Sequence, residues 1–317
     1  MELLRRIEDR GYPSDYLLSR LKGKRSRLIS DWMNVALVGD PRDFVASCVS
    51  RGFVKGKSAD GIWRDLMKEY EWVYTRMSRE WRDIFGPFFL YAELRTVFIC
   101  LRQIRGRGAS GYRGMLSSSL LSEDLKMTLQ ESGDIAAAAA DIERAFLPLS
   151  DTFTGIAVLC DTEGLSVFER ELTTRYLVTM VRNHLHPLMK AFFIRIIDSR
   201  NIIALVKYLM LSPKKAPGFV PCGRITEKEF SSVILSKELR DIQRLARVKD
   251  AGSGLLSIEQ ELYRQMTLFL RRAGRDSLAI GPVLDYLWRC SVEVMNLSIL
   301  FHGRGMDRDI ISRELVH

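Results

Sequence analysis

Only four histidines and five cysteines occur among the 317 residues, and neither type is gathered where chemistry would need it. Cys48, Cys100, Cys160, Cys222 and Cys290 lie more than fifty residues apart, odd in number and without a CxxC pair. That excludes a disulfide framework and a zinc ribbon, and fits a reducing cytosol. His184 and His186 (NHLHP) have the spacing of a strand-borne metal pair, yet they sit at a helix end before Pro187 with no third ligand nearby. They read as cationic residues at a helix terminus, as does His302 in FHGRG. No metal site and no cofactor is expected. No Walker lysine loop, no GxSxG and no HExxH occurs, so an enzyme would lack a nucleophile, a base or a phosphate cradle. Gly106, Gly108 and Gly111 satisfy GxGxxG, but the pattern follows a helix rather than a strand and reads as a cap and loop. Alternating β-branched runs are missing, and so are long apolar ones. The longest apolar stretches, Phe85 to Leu101 and Ala191 to Leu211, are broken by Glu93 and Arg95, and by Arg195, Asp198 and Arg200. Neither has the roughly 18 uninterrupted apolar residues of a spanning helix. Met1 to Ser30 is charged throughout, without the apolar core of a secretory signal. Any meeting with a membrane is expected from the water side.

What is present is basic charge and helical periodicity. Forty-eight basic residues against 39 acidic ones give a net charge of +9, spread along the chain. An acidic protein, nucleic acid, a lipid surface or simple solubility would each account for it. Amphipathic segments run almost end to end: 15–28, 31–38, 62–82, 88–105, 122–130, 135–153, 165–183, 190–211, 227–249, 257–273, 282–302 and 307–315. The fold expected is all-α. Breaks at 106–114, 212–223 and 251–254 carry Gly, Pro and Lys. The first two place domain boundaries near 116 and 220, giving helical domains at 1–116, 117–220 and 221–317.

One pattern occurs three times. In GPVLDYLWRCSVEVMNLSILFHGR, Glu293 and Asn296 lie three apart, hence side by side on a helix, within an apolar run. KAFFIRIIDSRNIIALVK carries Asp198 and Asn201, and PFFLYAELRTVFICLRQIR carries Glu93 with Thr96 in the second place. The acids are spaced by 105 and 95 residues. Helix-start signals of Ser or Thr followed by acid march at a similar interval, at Ser14-Asp15, Ser122-Glu123 and Thr226-Glu227. Two landmarks at one period indicate a threefold internal repeat. Arg195 lies within a turn of Asp198, and Arg289 within a turn of Glu293, as candidate ion-pair partners. Buried polar groups of this kind must be hydrogen-bonded and commonly set register between packed helices.

These helices, the closing VEVMNLSILFHGRGMDRDIISREL, the early SDYLLSRLKGKRSRLIS, and the IERAF and IEQEL starts at Ile142 and Ile258 resemble the C-type subunit of the A-type and V-type rotary ATPases, whose eukaryotic counterpart is the d-type subunit. The resemblance covers most of the chain and is most specific in the closing segment. It implies three similar helical domains around a pseudo-threefold axis, forming a funnel on the cytoplasmic mouth of the membrane rotor ring. The implied partners are the D-type and F-type subunits of the central stalk and the proteolipid ring. The implied role is coupling of rotation to proton or sodium transport, without catalysis, a cofactor or a small-molecule substrate. Thr96 in place of Asn and the basic loop RGRGASGYRG depart from the family pattern.

Loop basics are the candidate partner contacts: Arg105, Arg107, Arg113, Lys214, Lys215 and Arg304. Two other classes stand beside the coupling role. A basic helical nucleic-acid-binding protein would use Arg102, Arg105, Arg107 and Arg113 near Tyr112. A helical enzyme would use Asp198 or Glu293 as a general base, and would need a cleft that shifts their pKa values.

Overall fold

The computed structural model describes residues 3–32, 52–56, 58–106, 113–213, 215–248, 255–276, 280–303, 310–311 and 314–316. Among these residues the fold is all-α, and the one β feature is an isolated antiparallel bridge between Leu4 and Leu121. The helices are α1 (Ser14–Arg25), α2 (Ala59–Arg76), α3 (Arg79–Arg105), α4 (Arg113–Leu116), α5 (Glu123–Glu131), α6 (Ile135–Phe146), α7 (Ile156–Thr162), α8 (Leu165–Arg182), α9 (Pro187–Leu211), α10 (Glu227–Ser236), α11 (Leu239–Ala246), α12 (Leu255–Ala273) and α13 (Gly281–His302).

Several periodic segments prove to be two helices, and the breaks have local causes. The run over 62–82 stops at Met77, and Ser78 caps a new helix by accepting from the Trp81 N–H, so α3 begins nine residues before Phe88. The run over 135–153 ends at Phe146, where Pro148 cannot continue an α-helix and two short 3₁₀ turns follow. Within 227–249, Lys237 adopts a left-handed conformation (φ 54°) that closes α10 before α11 starts. Ser122 and Thr226 act as helix caps, the latter in a reciprocal capping box with Glu229. Ser14 does not: α1 is preceded by Pro13 and has no side-chain cap bond.

By packing, the chain divides into two units, residues 1–12 with 67–193, and residues 13–66 with 194–317. Helices α2 and α9 contribute residues to both. The core of the first unit is aromatic. Tyr70, Tyr74, Phe88, Phe89, Phe192, Phe193, Tyr176, Phe146 and Phe153 form one chain of ring contacts at centroid distances of 5.1–6.4 Å. Edge-to-face pairs of this kind contribute about 0.5–1.5 kcal/mol each beyond the area buried. The chain links α2, α3, α9, α8 and α6. Helix α3 is long and apolar enough to cross a bilayer by length and composition, and more than half of its apolar window is buried within this unit.

The second unit has aliphatic packing, with Ile202, Leu205, Val206, Phe230, Val233, Ile242, Ile258 and Leu262 in one buried cluster. Its α13 is buried along most of its length. A Cβ on Gly281 would lie 2.1 Å from the Ala273 carbonyl oxygen, so only glycine lets α13 start this close to the end of α12.

Candidate functional site

The three repeated acids are embedded in helix faces and turn to backbone, not to arginine. Glu93 on α3 accepts from the Leu120 N–H (2.5 Å) and the Ser119 hydroxyl (2.8 Å), 27 and 26 residues ahead. Asp198 on α9 accepts from the N–H groups of Ile225 (3.2 Å) and Arg224 (2.7 Å), at the same separations of 27 and 26. Glu293 on α13 accepts from the Ile29 N–H at 2.8 Å, 264 residues behind it. Each acid takes an amide one or two residues before a Ser or Thr followed by acid: Leu120 before Ser122-Glu123, Ile225 before Thr226-Glu227 and Ile29 before Ser30-Asp31. The third contact therefore uses Ser30-Asp31, not Ser14-Asp15, as the counterpart of the other two. In chain order the pattern is cyclic, because the last acid holds the lead-in near the start.

The second position also clasps backbone, in the same segment as its acid for Asn201 and in the C-terminal segment for Asn296. Asn201 donates from Nδ2 to the Val220 carbonyl (2.8 Å) and accepts from the Val220 N–H (2.9 Å). Asn296 does the same to Val316, with the same two distances. Both carboxamides are fully buried, and the clasped residue is a valine 19 or 20 positions ahead. One carboxamide thus satisfies both polar groups of a buried residue's backbone, which hydrocarbon could not do. Thr96 has no amide to offer. Its hydroxyl supports Glu93 instead. The lead-in it would otherwise clasp is held from the other side by the N-terminal segment, through Arg5 N–H to Leu120 O (2.8 Å) and Ser122 N–H to Leu3 O (3.0 Å).

Burial governs the acids electrostatically. It raises Glu293 from the usual glutamate range to about 7, with the Ile29 amide opposing. Glu93 and Asp198 are raised by the same desolvation, against their amide partners. Arg289 does not pair with Glu293. It binds Asp285, one turn earlier on α13, at 3.0 Å, and Arg25 of α1 binds the same carboxylate at 2.9 Å. Asp285 is wholly buried, and the i, i+4 reading from Arg289 forward to Glu293 missed it because the helix offers the arginine an acid in both directions. Arg195 makes no ion pair with Asp198 among the described residues; its guanidinium lies 4.1 Å from the centroid of the Phe269 ring.

Gly223 makes the Asp198 clasp possible. A Cβ there would sit 2.4 Å from the Asp198 carboxylate oxygen and 2.9 Å from the Ile197 side chain. Gly223→Ala is expected to push the Arg224 and Ile225 amides off the carboxylate and to cost about 1–3 kcal/mol. Urea unfolding measures this; an unchanged midpoint would contradict it.

Of the basic candidates, Arg105 and Lys215 are exposed. Arg113 opens α4, and Arg107, Lys214 and Arg304 lie outside the described residues. Arg102, which a nucleic-acid surface would use, is held by a two-pronged pair with Glu169 at 2.8 and 2.5 Å. Asp198 lines a cavity of about 350 Å³ in the second unit, together with four arginines. Among the described residues no cluster of three or more His, Cys, Asp or Glu side chains is placed to hold a metal ion.

Against known proteins, residues 57–314 match the family model described as ATP synthase (C/AC39) subunit. No curated protein matches the chain.

Proposed function

The chain belongs to the ATP synthase (C/AC39) subunit family, and from that premise we propose that it is a non-catalytic coupling subunit, joining the central stalk of a rotary ATPase to its membrane rotor ring. The observation that carries this reading is the repeated clasp. A catalytic acid would be expected once. Here three acids and two carboxamides, spaced through the chain, spend their hydrogen bonds on the backbone of separate segments, at Ile29, Leu120, Val220 with Ile225, and Val316. A torque-bearing part must resist twisting, and tight packing with satisfied buried polar groups provides that stiffness. In this reading the chain forms three similar helical domains, at 1–116, 117–220 and 221–317, arranged as a funnel about a pseudo-threefold axis. The cyclic order of the acid contacts supports it, since the third repeat takes hold of the first.

The partners are then the D-type and F-type stalk subunits and the proteolipid ring, met at the cytoplasmic face. Exposed basic residues such as Arg105 and Lys215 would complement acidic stalk surfaces or lipid headgroups. Catalysis stays in other subunits of the complex. Membranes stripped of this chain are expected to keep ATP hydrolysis by the soluble sector and to lose ATP-driven ion uptake, with uptake restored by adding the purified chain back. Undiminished uptake without the chain would overturn the reading.

A further inference from the structure

The cavity beside Asp198 has a composition that joinery does not explain. Its walls come from α9, the segment before α10 and its first turn, α11 with its C-cap, and α12, all within the second unit. Arg195, Arg224, Arg244 and Arg247 line it against two carboxylates, Asp198 and Glu229. Both acids are already engaged, Asp198 with two backbone amides and Glu229 with Thr226. Arg244 has an ion-pair partner in Asp241 at 3.0 Å. Arg195, Arg224 and Arg247 have none among the described residues. With Arg244 paired to Asp241, three arginines face two carboxylates that are already engaged, and the lining is positive by one charge.

The backbone at Arg247 allows its charge to be removed without strain. Arg247 occupies the left-handed C-cap of α11 (φ 55°, ψ 38°), a position where glycine carries no steric penalty. The arginine supplies a charge there that glycine would not. The rest of the lining includes apolar side chains, Ile202, Leu262 and Met266 among them.

We propose that this cavity binds a phosphate monoester, its dianionic head held by Arg195, Arg224 and Arg247 and its organic part against the apolar wall. A phosphate monoester offers three strong acceptor oxygens to three guanidinium groups, where one carboxylate offers two. Planar guanidinium forks suit the tetrahedral oxygens, and the volume falls at the lower end of small-molecule sites. The head could belong to a soluble metabolite or to a phosphorylated lipid.

Calorimetric titration of the full chain with phenyl phosphate, at constant ionic strength, tests this. One-to-one binding is expected, weakened on the order of tenfold by Arg247→Gly, as loss of one charge-assisted contact implies. Glycine suits the left-handed cap, so that variant should melt no lower than the parent, separating binding from folding. Arg264→Gln, which removes an exposed arginine paired with Glu261, should bind as the parent does. Absence of binding at millimolar ligand, or equal binding by the Arg247→Gly variant, would overturn the proposal. Sedimentation with phosphatidylcholine vesicles, with and without phosphatidylinositol 4-phosphate, then assigns the source. Retention only on the phosphorylated lipid, lost in Arg247→Gly, identifies a headgroup; phenyl phosphate binding without vesicle retention identifies a soluble ester.

Discussion

Asn201→Leu is expected to destabilise the second unit by about 2–5 kcal/mol, and Asn296→Leu by a similar amount, through the loss of paired backbone groups. Leucine is no smaller than asparagine, so neither change opens a large cavity. What each removes is the partner of a buried backbone, leaving both the N–H and the C=O of Val220, or of Val316, unpaired away from water. Each orphaned backbone group costs about 1–3 kcal/mol, which is a large part of the roughly 5–15 kcal/mol that holds a typical domain together. Asn201→Asp should cost at least as much near neutral pH, because its carboxylate would be buried while facing the Val220 carbonyl with no donor. The urea midpoints of the purified variants report these differences. A loss below about 1 kcal/mol in both leucine variants would mean that the clasped segments find other partners.

Stability should fall as pH rises from about 4.5 to 7, and Glu293→Gln should remove much of that slope. The folded chain holds the Glu293 proton until about pH 7, while the unfolded chain releases it near the ordinary glutamate value of 4.5. Within that window unfolding releases a proton, so each rise in pH favours the unfolded state; above about 7 both states are ionised and the loss is complete. A shift of this size corresponds to about 3 kcal/mol. Glutamine keeps an oxygen for the Ile29 N–H and has no proton to lose. Its variant should match the parent near pH 4.5 and exceed it above pH 7, by less than the full amount because the hydrogen bond from the Ile29 amide to a charged acceptor is forfeited. Glu93 and Asp198 are shifted in the same direction, so a residual slope of the same sign should persist. Thermal melts of both proteins across this range check the sign, and a parent that gains stability toward pH 7 would contradict it.

The all-α fold and the alignment of Glu93, Asp198 and Glu293 on apolar helix faces were legible because both depend on short-range periodicity. The helix breaks at Met77, Phe146 and Lys237 were not, since an amphipathic stripe can continue across a tight corner that one cap or one left-handed residue produces. Less legible still were the partners. In a one-dimensional reading the acids attract nearby arginines, and Glu293 takes Arg289, but the fold delivers backbone amides from 26 and 27 residues away, or from the far end of the chain. One sequence signal was there to find: a valine 19 residues after Asn201 and another 20 after Asn296. Thr96 has no such clasp, and the bridge between Leu4 and Leu121 steadies its segment in another way. That exchange of one device for another is invisible until Leu120 is seen between Glu93 and Arg5.

In the coupling role proposed above, this chain would stand between two other parts, and a part of that kind should leave the membrane in their company. Affinity purification of the chain from gently solubilised native membranes, with the associated proteins identified by mass spectrometry, tests that directly. The D-type and F-type stalk subunits and the ring proteolipid should co-purify in fixed proportion, and a chain carrying Asn201→Leu and Asn296→Leu together should recover them poorly. Recovery of the wild-type chain alone, or with nucleic acid that high salt removes, would contradict the assignment.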